Sequence, residues 1–187
     1  MSKNEGSTLG IFMRVTVLVG LIAAVVIAFQ MGRELPSDAG SPGGNAAHAA
    51  TVGIALHQAA SSGRVDSVRA ALAEGADPNV ALPQDDSSRG GMTPLMLAAF
   101  EGNAESVKAL IDAGARTEAR ATDGRTALIY AAGWGNAQKV QMLVEVGATT
   151  DARASDGMTA LMSAAARGEV DSVRALVVAG AGVDERN

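Results

Sequence analysis

The chain has 187 residues, 48% of them hydrophobic but only 3% aromatic, and a formal charge of −5. Apolar content built mainly from Ala, Val and Leu suits closely packed helices better than an aromatic-rich sheet core. The acidic balance excludes a general nucleic-acid binder, which needs a basic surface. With no cysteine in the chain, disulfide frameworks, thiolate metal sites and thiol nucleophiles are excluded as well. Among the fifteen basic residues only Lys3, Lys108 and Lys139 are lysines, an arginine bias that suggests a GC-rich bacterial genome.

After a short N-terminal segment, residues 1–14, comes one long apolar run, VTVLVGLIAAVVIAFQM, at 15–31. As a helix it spans about 25 Å, and the preceding LGIFM at 9–13 adds the turn needed to cross a hydrocarbon core of about 30 Å. It is expected to be a single transmembrane helix or signal anchor. Lys3 and Arg14 precede the run and Arg33 alone follows closely. That bias puts the N-terminus in the cytoplasm and the rest of the chain on the exported, periplasmic side. Signal cleavage is the alternative, after Ala28 or Ala49, giving a soluble periplasmic or secreted protein. Residues 32–52 are rich in Gly, Ala, Ser and Pro and are expected to form a flexible tether.

The remainder aligns with itself. Gly91, Gly124 and Gly157 stand 33 residues apart, as do Leu95, Leu128 and Leu161, and Gly114, Gly147 and Gly180. A fourth copy, ALHQAASSGRVDSVRAALAEGADPN, begins at Ala55, and six extra residues separate it from the next. This period and these residues resemble the ankyrin repeat, in which two short antiparallel helices are followed by a β-turn finger. The resemblance covers residues 53–187, with repeats at about 53–79, 91–120, 124–153 and 157–187. The expected fold is all-α: a solenoid of four helix-turn-helix repeats with β-turn fingers, behind one N-terminal transmembrane helix.

Each position has a physical reason. Thr93, Thr126 and Thr159 stand where N-caps are needed, with Pro94 at a first helical position. The paired alanines 59–60, 98–99, 131–132 and 164–165 keep the inner helix slim. Gly63, Gly102, Gly135 and Gly168 are expected to end it as C-cap glycines. In the outer helix Val68, Val107, Val140 and Val173 pair with Leu72, Leu110, Leu143 and Leu176 to make the core stripe.

Two departures from the family pattern matter. The Thr-Pro-Leu-His motif is complete nowhere. His57 keeps the histidine behind Ile54, and Met96, Ile129 and Met162 replace it elsewhere, so apolar packing is expected to replace much of the inter-repeat hydrogen bonding. The last repeat carries Val178 where Asp112 and Glu145 stand before it, leaving an apolar edge and a route to self-association.

The inventory for chemistry is thin. His48 and His57 are the only histidines, no HExxH or phosphate-binding loop is present, and Asp85-Asp86 sit in the inserted loop. No enzyme activity, metal, cofactor or small-molecule substrate is expected. The resemblance implies binding of a protein partner through the finger tips and the exposed face of the inner helices. Carried over residue by residue, that face comprises Met92, Phe100 and Glu101 in the second repeat. In the third it comprises Arg120, Thr122, Asp123, Arg125 and Trp134, and in the fourth Arg153, Ser155, Asp156, Met158 and Arg167. Trp and Arg are the side chains most enriched at binding hot spots. The expected function is a membrane-tethered module that holds or protects a partner protein on the exported side.

Overall fold

A computed structural model of the protein describes residues 42–84, 89–134 and 136–183. The apolar run at 15–31 and the loop pair Asp85-Asp86 lie outside them. Among the described residues no helix is long and apolar enough to cross a membrane.

The described residues form eight α-helices and no strand: α1 Pro42–Ser61, α2 Val65–Ala73, α3 Pro94–Phe100, α4 Ala104–Asp112, α5 Ala127–Gly133, α6 Ala137–Glu145, α7 Ala160–Arg167 and α8 Val170–Val178. They pair in sequence, and the pairs stack. The odd-numbered helices make an inner layer, each touching the next, and the even-numbered ones an outer layer. No pair could bury its apolar face alone, so the stack is the stable unit.

The expected tether at 32–52 is corrected over its second half, because α1 begins at Pro42. Alanines at 46, 47, 49 and 50 favour helix, and the buried Val52 and Leu56 dock that helix on the stack.

The core follows the repeat. Leu56, Leu95 and Leu128 of the inner helices are buried, with the paired alanines beside them. Val68, Val107 and Val140 of the outer helices are fully buried in the same core cluster as Leu110, Leu143 and Leu176. Full burial of each such side chain stabilises the fold by about 1.5–3 kcal/mol. In the first repeat the expected partner, Leu72, is only half-buried, and Ala71 takes the core position instead.

Thr93 and Thr159 cap their helices, accepting from the N–H groups of Met96 and Met162, whereas Thr126 makes no such bond. Asn103 and Asn136 cap outer helices in the same way, accepting from Ser106 and Lys139. Gly63 and Gly168 adopt the left-handed conformation expected of C-caps, but Gly102 does not. It is needed for close approach: an added Cβ would overlap the Ala60 carbonyl oxygen and lie 2.8 Å from Ala98 Cα.

Hydrogen bonds between repeats are also more numerous than the missing histidines suggest. Asn79, Glu118 and Asp151, at equivalent positions, accept in turn from the backbone N–H groups of Arg116, Thr149 and Gly182 at 2.8–2.9 Å. Each side chain ties its own repeat to the next. The buried His57 takes no part and bonds its Nδ1 to the Gly53 carbonyl one turn back.

Candidate functional site

The fingers come first, because they carry most of the expected contact residues. In two of them a tight turn closes with Ala121 N–H on the Arg125 carbonyl and Ala154 N–H on the Met158 carbonyl. Successive fingers are joined by backbone, Thr122 N–H donating to Gly90 O and Ser155 N–H to Asp123 O. Gly91 and Gly124 make this possible, since their φ is positive and a Cβ on Gly124 would lie 2.7 Å from Ser155 N. The first finger differs. Leu82 pairs with Met92 across the six-residue insertion, and Met92 turns inward to 2% exposure. Met92 is therefore a core residue and not a contact residue.

The finger arginines are braced. Arg120 donates to Gly124 O at 3.0 Å and to Arg153 O at 2.5 Å, so it spans two fingers. Arg153 donates to Gly157 O at 3.1 Å. Arg125 bridges two carboxylates, with Asp156 at 3.1 Å and Asp123 at 3.7 Å. The Asp156 carboxyl is held below the usual carboxylate range, first by the Met158 N–H and then by the Arg125 guanidinium. Thr122, Asp123, Ser155 and Asp156 are exposed, and Met158 is half-buried.

Behind the fingers the inner helices bring Phe100, Tyr130, Trp134 and Arg167 together. Phe100 meets Trp134 edge-on at a centroid distance of 4.3 Å and Tyr130 at 5.7 Å. The Arg167 guanidinium carbon lies 3.6 Å from the centre of the indole. Trp134 is the C-cap of α5 and keeps 37% of its surface exposed, while Phe100 is half-buried beneath it. Glu101, one row over, accepts from Ser61 at 2.5 Å and pairs with Arg89 at 2.7 Å. Tyr130 links this cluster to the fingers, donating its hydroxyl to Asp123 at 3.1 Å. Burial, and then the Asp123 carboxylate, push its phenol far above the ordinary value. It acts as a fixed hydrogen-bond donor, not as an acid or base.

The structure thus assembles Phe100, Glu101, Trp134 and Arg167 on the inner-helix face, with the finger residues of repeats three and four beside them. Among the described residues no group of His, Asp or Glu could hold a metal ion. A shallow groove of about 690 Å³ runs on the opposite, outer layer between α6 and α8, lined by Gln141, Val144, Asp171, Arg174 and Val178.

One buried charge is not marked by the repeat pattern. Lys139, in the first turn of α6, is 3% exposed and donates to the carbonyls of Ala98 and Gly102. Burial lowers its pKa. The available signal was a lysine standing in a column otherwise occupied by Ser67, Ser106 and Ser172.

A family model, ankyrin repeats in three copies, matches residues 44–121 and 115–187. No curated protein matches the chain. The matched residues cover most of the chain and coincide with the stacked helix pairs and fingers described above, so the chain belongs to the ankyrin-repeat family, whose members are protein-interaction modules generally without enzymatic activity.

Proposed function

We propose that the protein is a membrane-tethered interaction module, which holds or protects a partner protein on the exported side of a bacterial membrane. The observation that carries the binding reading is the half-exposed Trp134, flanked by Phe100 and Arg167, at the centre of the inner-helix face. Aromatic and arginine anchors in a partly desolvated cluster are the composition of a binding hot spot. The tether reading rests on the apolar run at 15–31 and the basic residues before it.

Crosslinking in producing cells tests the first part. The same partner is expected with the unaltered chain and with Arg174→Ala on the outer layer, and is expected to be lost with Trp134→Ala. Equal recovery from all three removes the anchor. For the tether, the mature N-terminus decides: a start beyond Ala28 means a cleaved signal and a soluble exported protein. Protease added outside the inner membrane is expected to digest the repeats of an anchored chain.

A second reading, self-association through the C-terminal edge, is favoured by Val170 and Val178, which are 65% and 84% exposed. Ala104, equivalent to Val170, is buried. Val178→Lys is expected to abolish any concentration-dependent oligomer in sedimentation while leaving partner recovery unchanged.

A further inference from the structure

The geometry points to a specific chemistry for the partner, and this rests on the interaction reading above. The Trp134–Arg167 stack is a receptor for an acidic side chain. The docking segment of the partner lays an apolar residue on the indole and presents an Asp or Glu carboxylate to the Arg167 guanidinium.

Arg167 differs from the finger arginines around it. Arg125 is committed to two aspartates, and Arg120 and Arg153 donate to finger carbonyls. Arg167 makes no ion pair and no hydrogen bond among the described residues, and lies over the Trp134 ring. Its side chain nevertheless runs close along α5. The side chain crosses the place where Gly133 has no side chain, and a Cβ there would sit 3.7 Å from Arg167 Cδ. With its carbon 3.6 Å from the ring centre, the guanidinium lies over the indole while the residue stays exposed, so its N–H groups are open to a partner. A guanidinium can give a carboxylate two parallel hydrogen bonds, and its contact with the ring restricts the side chain beforehand, so less rotamer entropy is lost on binding.

The surroundings favour the same charge. Among the described residues this part of the molecule carries Arg89, Arg120, Arg125, Arg153 and Arg167 against Glu101, Asp123 and Asp156, within a chain whose net charge is −5. A locally positive face on an otherwise acidic surface steers acidic segments toward itself and repels them elsewhere. It does not suit nucleic acid, which requires a continuous basic track.

Trp134 is the only tryptophan, so its fluorescence reports this site alone. A random-peptide display library is selected against the full-length chain in nonionic detergent, and the recovered peptides are labelled and titrated by fluorescence anisotropy, with the tryptophan signal as a second readout wherever Trp134 is kept. Recovered peptides are expected to carry Asp or Glu next to an apolar residue. Replacing that carboxylate by its amide, or Arg167→Gln in the protein, weakens binding about tenfold, and both changes together weaken it no further. Arg167→Lys, which keeps the charge but loses the fork, recovers only part of the affinity. Binders that lack an acidic residue, or that tolerate Arg167→Gln while failing with Trp134→Ala, overturn the acidic receptor and leave the interaction reading standing. A library that yields no binder sensitive to Trp134→Ala overturns both.

Discussion

Lys139 Nζ lies 3.1 Å from the carbonyl oxygen of Gly102, so a cation of the third repeat closes the C-terminal end of an inner helix in the second. The carbonyls there lack helical partners and carry the negative end of the helix dipole, which explains why an ammonium is tolerated in the interior. Burial lowers its pKa from 10.5 in the folded chain, whereas the unfolded chain keeps the ordinary value. Between the lowered value and 10.5 the unfolded state binds more protons, so stability rises with pH across that window. Below it both states are charged and the contribution is flat. Thermal melts across the window are expected to climb for the unaltered chain and to climb less for Lys139→Met. Identical slopes would mean that this lysine titrates as if exposed.

The glycines separate into two kinds that substitution distinguishes. Gly102 has ordinary backbone angles but no room, and Gly102→Ala forces Ala60 and Ala98 apart. Overpacking of this kind costs about 1–3 kcal/mol. Gly114 and Gly147 have room, with nothing within 4 Å of an added Cβ, but adopt φ of +85° and +88°. Alanine there costs about 1–2 kcal/mol through backbone strain alone. Asparagine, which tolerates the left-handed region, is therefore expected to restore part of the loss at 114 and 147 and none at 102. Urea midpoints of the six variants check this.

The helix-capping threonines offer a sharper contrast. Thr159 Oγ1 accepts from Met162 N–H at 3.3 Å, while Thr126 Oγ1 is buried with no hydrogen-bond partner. Valine keeps the shape of both side chains. Thr159→Val is expected to cost about 1 kcal/mol, the usual worth of a cap. Thr126→Val relieves a buried unpaired hydroxyl and is expected to be neutral or stabilising by up to about 1 kcal/mol. Equal losses at the two sites in denaturant melts would show that Thr126 caps its helix in solution after all.

Much of this was legible in the sequence because a repeat states each physical requirement several times. Four copies of a valine three or four residues before an aliphatic residue marked the outer core, and recurring glycines marked the helix ends. Errors arose where one copy departs from the others. Position 92 aligns with Arg125 and Met158 and so reads as surface, but Leu82 N–H bonds the Met92 carbonyl and the side chain is buried. Leu72 matches Leu110 in kind, but the register assigns the core position to Ala71. Lys139 reads as surface because a charged residue in a first helical turn ordinarily faces water, and only the neighbouring repeat supplies its carbonyl partners. The Trp134–Arg167 stack depends on a side chain crossing from one repeat to the next at Gly133, which no pattern within a single repeat encodes.

Cooperativity along the stack gives the last prediction. Leu143 and Leu176 occupy equivalent outer-helix positions and both are fully buried, so truncation to alanine costs each about 2–5 kcal/mol. Their neighbours differ. α6, which holds Leu143, packs between α4 and α8, whereas α8, which holds Leu176, meets an outer helix on one side only. In a chain of nearest-neighbour interfaces, loss of an internal unit removes two interfaces and loss of a terminal unit removes one. Leu143→Asp is therefore expected to abolish the cooperative transition. Leu176→Asp should unfold the last repeat and leave the first three folded. Trp134, in the third repeat, discriminates the two, because its fluorescence should still show a transition in Leu176→Asp at a reduced midpoint, while far-ultraviolet circular dichroism has already lost the signal of α7 and α8. Coincident loss of both signals in both variants would mean that the four repeats fold only as one indivisible unit.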